Sequence, residues 1–240
     1  MQNTRTPYRF GPLLQPGLLR QLWCGLCVSL CLAGAGKALA ADVQIPPPSD
    51  FRVIKAQRQH VQLLRQGGLV LYMRHGPTNA RIPDQIPVKL DDCASQRPLT
   101  DAGRAQLDKI AGFVRQLRIP YQQVVSSPFC RAQESARRVF NGPIQIDPNL
   151  RYTAAMPEAE KKPAVARTRY WLSEKISTPR SNRIVVAHGP NMAELIDYLP
   201  PEASLVLFRP LGNGATPSFE YLASIEPGHW PELLATLDAL

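Results

Sequence analysis

Leu69–Ala80 reads LVLYMRHGPTNA, an apolar run that stops abruptly at Arg74 and His75 and gives way to Gly76 and Pro77. The unbroken apolar stretch Leu69–Met73 is what a strand covered on both faces requires, and the preceding Gly67 and Gly68 end whatever element comes before it. A guanidinium and an imidazole have no packing role in such a core. Their position therefore places the strand end at a surface where polar chemistry is wanted.

Working outward, Ser49 or Asp50 is predicted to cap a helix that runs to Gln66. Beyond a polar loop, Thr100 caps a helix whose Leu107, Ile110, Ala111, Val114 and Leu117 fall on one face. Short strands are predicted at Gln123–Ser126 and Ile144–Ile146, with a helix from Arg131 to Phe140 between them. A helix over Pro163–Ile176 precedes a strand over Arg183–Ala187, and Asn191 is the expected cap of the next helix. Strands at Leu205–Phe208 and Phe219–Ile225 and a helix from Pro231 close the chain. Strands alternating with amphipathic helices predict an α/β fold: a three-layer sandwich with a mostly parallel central sheet flanked by helices, and a late antiparallel hairpin at one edge.

The chain has 240 residues, 44% of them hydrophobic and 20% charged, an ordinary globular balance. Residues 1–40 differ from the rest. Arg5, Arg9 and Arg20 precede the apolar stretch Leu22–Ala35, and Ala38-Leu39-Ala40 supplies small residues for processing. This is the pattern of a secretory signal peptide cleaved near Ala40, with an uncleaved N-terminal anchor as the alternative. Residues 41–48 then form a proline-rich linker and 49–240 a single domain. The expected location is periplasmic or secreted, with no stable membrane span after processing.

Losing Arg5, Arg9, Arg20 and Lys37 and no acid lowers the formal net charge from +9 to +5. Without a dense basic block or interleaved aromatics, nucleic acid is not an expected partner. The same cut removes Cys24, Cys27 and Cys31 and leaves Cys93 and Cys130, either a disulfide or two buried thiols.

In open parallel sheets, ligands gather at the carboxyl ends of the strands. Three predicted strands end there in LYMRHG, VVSSPFCRA and VVAHGPN, which brings Arg74, His75, Arg131 and His188 to one rim. Guanidinium groups and imidazoles with no acid in any of these motifs call for an anion. Phosphate suits them, since a guanidinium offers forked donors and an unprotonated imidazole can attack phosphorus. Gly76 leaves the approach unobstructed.

These motifs resemble those of the histidine phosphatase superfamily, whose fold is shared with phosphoglycerate mutases. Arg74-His75-Gly76 matches the family's R-H-G, with Thr78 at its frequent hydroxyl position; SSPFCRAQESA matches its second motif, with Ser135 in place of Thr; and AHG with His188 matches the third. The resemblance covers about Leu69–Ile225. It implies a nucleophilic His75 forming phosphohistidine, with Arg74, Arg131 and His188 holding the phosphoryl oxygens, and substrate contacts from Arg74, Gly76, Thr78, Arg131 and His188. It implies no cofactor and no metal.

The general acid is unassigned: DPNLRYTAAMPEAE stands where many members carry a Glu, Gly189 stands where the other branch has Asp, and Glu158 and Glu160 are near only in sequence. Good leaving groups such as phosphoanhydrides or phosphohistidine are then favoured over alkyl phosphates. The implied function is an exported phosphohydrolase acting on a phosphorylated small molecule or an envelope glycan or lipid phosphate. The alternatives are a non-catalytic phosphate-recognition protein on the same fold and a mutase-like phosphotransferase. His60 and His229 read as surface residues.

Overall fold

The computed structural model describes residues 50–154 and 156–238, so the signal peptide and linker over 1–48 lie outside the described residues. The described elements run in the order α1 (Arg58–Gln66), β1 (Val70–Arg74), α2 (Asp101–Gln116), β2 (Tyr121–Ser126), α3 (Cys130–Val139) and β3 (Ile144–Ile146). There follow α4 (Glu158–Ser173), β4 (Asn182–Ala187), α5 (Gly189–Ile196), β5 (Leu205–Gly212), β6 (Ser218–Ile225) and α6 (Trp230–Asp238).

One six-stranded sheet has the order β3-β2-β4-β1-β5-β6. Its first four strands are mutually parallel, β5 runs antiparallel to β1, and β6 completes a hairpin with β5. This is the expected mixed sheet with a late hairpin at one edge. The apolar run of β1 is continuous because alternate residues enter two cores. Leu71 and Met73 pack with α1, α2, α3 and α6 through Leu64, Leu107, Ala132 and Trp230. Val70 and Tyr72 face the opposite layer with Trp171, Leu172 and Met192 of α4 and α5.

The helices differ from expectation in three places. Ser49 lies outside the described residues, residues 50–57 are not helical, and helix α1 begins only at Arg58. The outer edge of β6 needs partners, and this segment supplies them: Ala56 N donates to Ser224 O at 3.0 Å and Ser224 N to Ile54 O at 2.8 Å. His60, expected on the surface, is buried in the first turn of α1, where its Nδ1 accepts from Gln57 N at 2.9 Å; His229 is half-buried.

Helix α4 begins at Glu158 rather than Pro163. Pro157 takes the cap position, Glu158 and Glu160 complement the helix dipole, and Pro163 is tolerated in the second turn at the expense of one backbone bond. Helix α5 starts at Gly189 with His188 as its N-cap. Asn191 lies inside that helix and donates from Nδ2 to Arg151 O at 3.1 Å and Thr168 Oγ1 at 3.2 Å, tying α5 to α4. Thr100 caps α2 as expected, accepting from Gly103 N at 2.9 Å. Among the described residues, no helix is long and apolar enough to cross a membrane.

Candidate active site

The parallel register aligns three strand ends. Arg74 lies opposite Ala187, and Ser126 opposite Val186, so β1, β2 and β4 all terminate on one rim. The ladder continues past the strands, with His75 N donating to Ala187 O at 3.0 Å and Ser127 N to Val186 O at 2.9 Å. Tyr72 straps the same end: its hydroxyl donates to His188 O at 2.7 Å and accepts from His188 N at 3.0 Å. Helices α3 and α5 start directly beyond, carrying Arg131 in the first turn of one and His188 as the N-cap of the other.

His75 is 1% exposed and its ring centroid is 5.3 Å from that of His188. Its Nδ1 lies 2.9 Å from Gly76 O, an acceptor, so Nδ1 carries the proton and Nε2 is left as the basic nitrogen. Burial, followed by the charge of Arg131, holds His75 well below the usual imidazole range. It is therefore neutral at pH 7, the form that can attack. The carboxylate of Glu202 stands 3.9 Å from Nδ1, placed to offset the positive charge the ring acquires when Nε2 forms a bond.

His188 is fully buried, and its pKa is lowered chiefly by that burial and then by His75 and Arg131. Ser127 Oγ accepts from Phe129 N at 3.2 Å, which frees its own hydrogen for His188 Nε2 at 2.8 Å. With the Ser127 hydroxyl as donor, the His188 proton sits on Nδ1, a buried atom with no protein partner among the described residues. Arg131 has its Nη1 on Asp84 Oδ1 at 2.8 Å, while its buried Nε and Nη2 are unpartnered. Arg74 donates from Nη1 to Pro200 O at 2.7 Å and leaves a buried, unpartnered Nε. Burial lowers the pKa of both guanidinium groups, opposed by Glu202 at Arg74 and by Asp84 at Arg131.

The rim thus collects the residues the motifs nominated, and adds some they did not. Arg97, from the loop between β1 and α2, also has a buried and unpartnered Nε, and its charge lowers the pKa of both His75 and His188. Asp84 binds Arg131 and also accepts from Arg97 N at 2.8 Å. Phe129 and Tyr152 set their rings edge-on to His188 at 5.0 and 5.6 Å, and the Arg131 guanidinium lies over both. Phe129 lies within SSPFCRA and Tyr152 within DPNLRYTAAMPEAE, whereas Asp84 and Arg97 carried no motif of their own in the sequence.

Two expected substrate contacts are otherwise engaged. Gly76 N donates to Ser135 Oγ at 2.9 Å, and a Cβ at Gly76 would stand 2.7 Å from Leu107 Cδ1, so the missing side chain admits helix α2 rather than substrate. Thr78 Oγ1 donates to Glu202 Oε1 at 2.8 Å and positions that carboxylate. Gly189 is needed for a different reason: a Cβ there would stand 2.7 Å from Leu199 Cδ1 and 3.0 Å from Arg74 Nη1. Glu158 and Glu160 face outward, paired with Lys161 at 4.0 Å and Arg151 at 3.3 Å. Cys93 and Cys130 are joined in a disulfide that staples the Arg97 loop to the first turn of α3. Gln96 Oε1 reinforces it by accepting from Cys130 N at 2.9 Å.

Residues 70–197 match the family model of the histidine phosphatase superfamily, branch 1. The chain belongs to that superfamily. The matched span carries the motif residues of the rim, from Arg74 to His188. Among solved structures, an Escherichia coli protein assigned as an alpha-ribazole-5'-P phosphatase aligns with a TM-score of 0.51 at 16% identity, covering 67% of this chain and 98% of that one. The protein histidine phosphatase SixA complexed with tungstate aligns at 0.44 and 18% identity over 67% and 98%. A mycobacterial glucosyl-3-phosphoglycerate phosphatase complexed with VO3 aligns at 0.43 and 16% over 65% and 98%. These likenesses concern the fold. No curated protein matches the sequence.

Proposed function

We propose that this histidine phosphatase is an exported phosphohydrolase that removes phosphate from a phosphorylated small-molecule or envelope-associated substrate through a phosphohistidine on His75. The carrying observation is the convergence of buried, unpartnered nitrogens on Arg74, Arg97, Arg131 and His188 around a neutral imidazole. Buried donors without partners are costly, and a phosphoryl group satisfies them together.

In the first step His75 Nε2 bonds to phosphorus while the bond to the leaving oxygen breaks, its electron pair remaining on that oxygen. Arg74, Arg97 and Arg131 bear the charge on the equatorial oxygens, His188 Nδ1 donates a further hydrogen bond, and Glu202 balances the imidazolium. Water then attacks phosphorus, the bond to His75 Nε2 breaks with its electron pair returning to the imidazole, and phosphate leaves as the water's proton passes to solvent. Asp84 and Glu202 are both occupied as acceptors from other groups, so the reading favours leaving groups that need little protonation. Export rests on the N-terminal pattern and draws support from the Cys93–Cys130 bond, which an oxidising compartment preserves.

The test is hydrolysis of p-nitrophenyl phosphate and pyrophosphate by wild type and His75→Ala in the presence of a chelator. Wild-type turnover is expected, with a loss of about 10⁴-fold or more in the variant. Undiminished turnover in His75→Ala would remove the nucleophile assignment. Phosphate binding by a wild type that turns over neither substrate would replace the enzyme with the phosphate-recognition reading.

A further inference from the structure

Beside the rim lies a cleft of about 540 Å³, far larger than a phosphoryl group needs and within the range that holds a small ligand. One wall comes from the loop between β1 and α2, through Ile86, Val88 and Leu90; the other comes from the segment before α4, through Tyr152 and Met156, with Phe129 at its base. Phe129 and Tyr152 also flank His188 and Arg131, so the cleft opens directly onto the anion site.

Three polar side chains of its lining, Asp84, Arg151 and Glu160, are already paired. Asp84 accepts from Arg131 and from Arg97 N, Arg97 stands at the anion end, and Arg151 and Glu160 pair with each other at 3.3 Å. Around them the lining is apolar, from Pro83, Ile86, Val88, Leu90, Phe129 and Met156. Ile86, an apolar side chain of that lining, is 89% exposed, uncovered among the described residues.

We infer that this cleft binds an apolar hydrocarbon or aryl group joined to the phosphate, so the protein's substrates are phosphorylated apolar compounds rather than phosphosugars. The inference rests on the anion site proposed above, and binding of non-hydrolysable phosphonates reads it apart from turnover. In calorimetric titrations of the mature protein, affinity is expected to rise about threefold to fourfold per methylene from methyl- to butylphosphonate, the gain for burying each group. A 2,3-dihydroxypropylphosphonate gains nothing over methylphosphonate. Hexyl- and phenylphosphonate arms distinguish a chain from a ring as the occupant.

Ile86→Asp and Met156→Asp, both at accessible positions, are expected to flatten the chain-length slope. A wild-type slope of zero, with methylphosphonate bound, would overturn the cleft assignment and leave the phosphatase reading standing. A steep slope that survives in both variants would also overturn it. A steep slope without hydrolysis of any ester would support the cleft and refute the phosphatase. Failure of phosphate and every phosphonate to bind would refute both.

Discussion

The site has two halves built by different means. The rim, with Arg74, His75 and His188, is an extension of the sheet: its backbone is held by ladder bonds to Ala187 and Ser204, and it directly continues strands that are buried in two cores. The wall, with Asp84, Arg97 and Tyr152, is loop, held by the Cys93–Cys130 bond and a few side-chain contacts. Arg131 stands at the seam, rooted in α3 and paired with Asp84 from the wall. On the proposed mechanism the nucleophile and most phosphoryl contacts fall to the sheet-anchored half, with Arg97 as the wall's contribution, and the remaining wall is loop, the kind of segment that tolerates change.

Mutations can break this division. The largest expected effect is at the seam: Arg131→Ala should lower hydrolysis by about 10²–10³-fold, the scale for losing a transition-state charge donor. It should also abolish the thermal stabilisation that inorganic phosphate gives the wild type. Hydrolysis within a few-fold of wild type would place the phosphoryl group elsewhere.

Next comes the staple. Cys93→Ser/Cys130→Ser opens a crosslink between residues 37 apart and should lower unfolding stability by about 4 kcal/mol in denaturant titrations. If the wall is the adaptable half, the variant's KM rises more than its kcat falls. Equal losses in kcat and kcat/KM would show that the staple also holds the catalytic rim.

Arg97→Ala should weaken phosphate binding on the order of tenfold, the scale of one charge-assisted hydrogen bond. Inhibition of p-nitrophenyl phosphate hydrolysis by inorganic phosphate checks this.

The smallest effect concerns pH. Burial lowers the pKa of both His75 and His188, so below the unfolded imidazole value of about 6.5 the unfolded chain binds protons that the native rim refuses. Stability is therefore complete above that pH and falls below it, by up to about 1.4 kcal/mol per pH unit for each histidine. Denaturant titrations between pH 7.5 and 5.5 should show a shallower fall in His75→Ala than in wild type. Identical slopes would contradict the neutral buried state of His75.

The same division decides what could be read from the sequence. The rim was legible because each of its residues follows an apolar strand directly, so LYMRHG, SSPFCRA and VVAHG carry both the strand and its chemistry within a few residues. The mostly parallel sheet with its late hairpin at one edge followed from the same alternation, whereas the strand order came only with the structure. The wall was not legible: Asp84 and Arg97 reach the site through tertiary pairing, with no periodicity to mark them.

Local preference also misled where tertiary partners outweighed it. Asn191 is a favourable cap residue in isolation, yet its amide is worth more bridging Arg151 and Thr168 inside the fold. Residues 50–57 could have begun a helix, but the open edge of β6 took them as an extended partner. Gly76 illustrates a third case, in which a motif glycine serves the packing of Leu107.

The central claim is that His75 carries the phosphoryl group, and rapid quenching tests it most directly. Wild-type protein mixed with p-nitrophenyl phosphate and quenched under alkaline conditions should carry one phosphoryl group on His75, stable to base and lost in acid, and His75→Ala should carry none. A turning-over wild type with its phosphoryl group on another residue, or with no adduct under conditions where dephosphorylation limits the rate, would contradict the account.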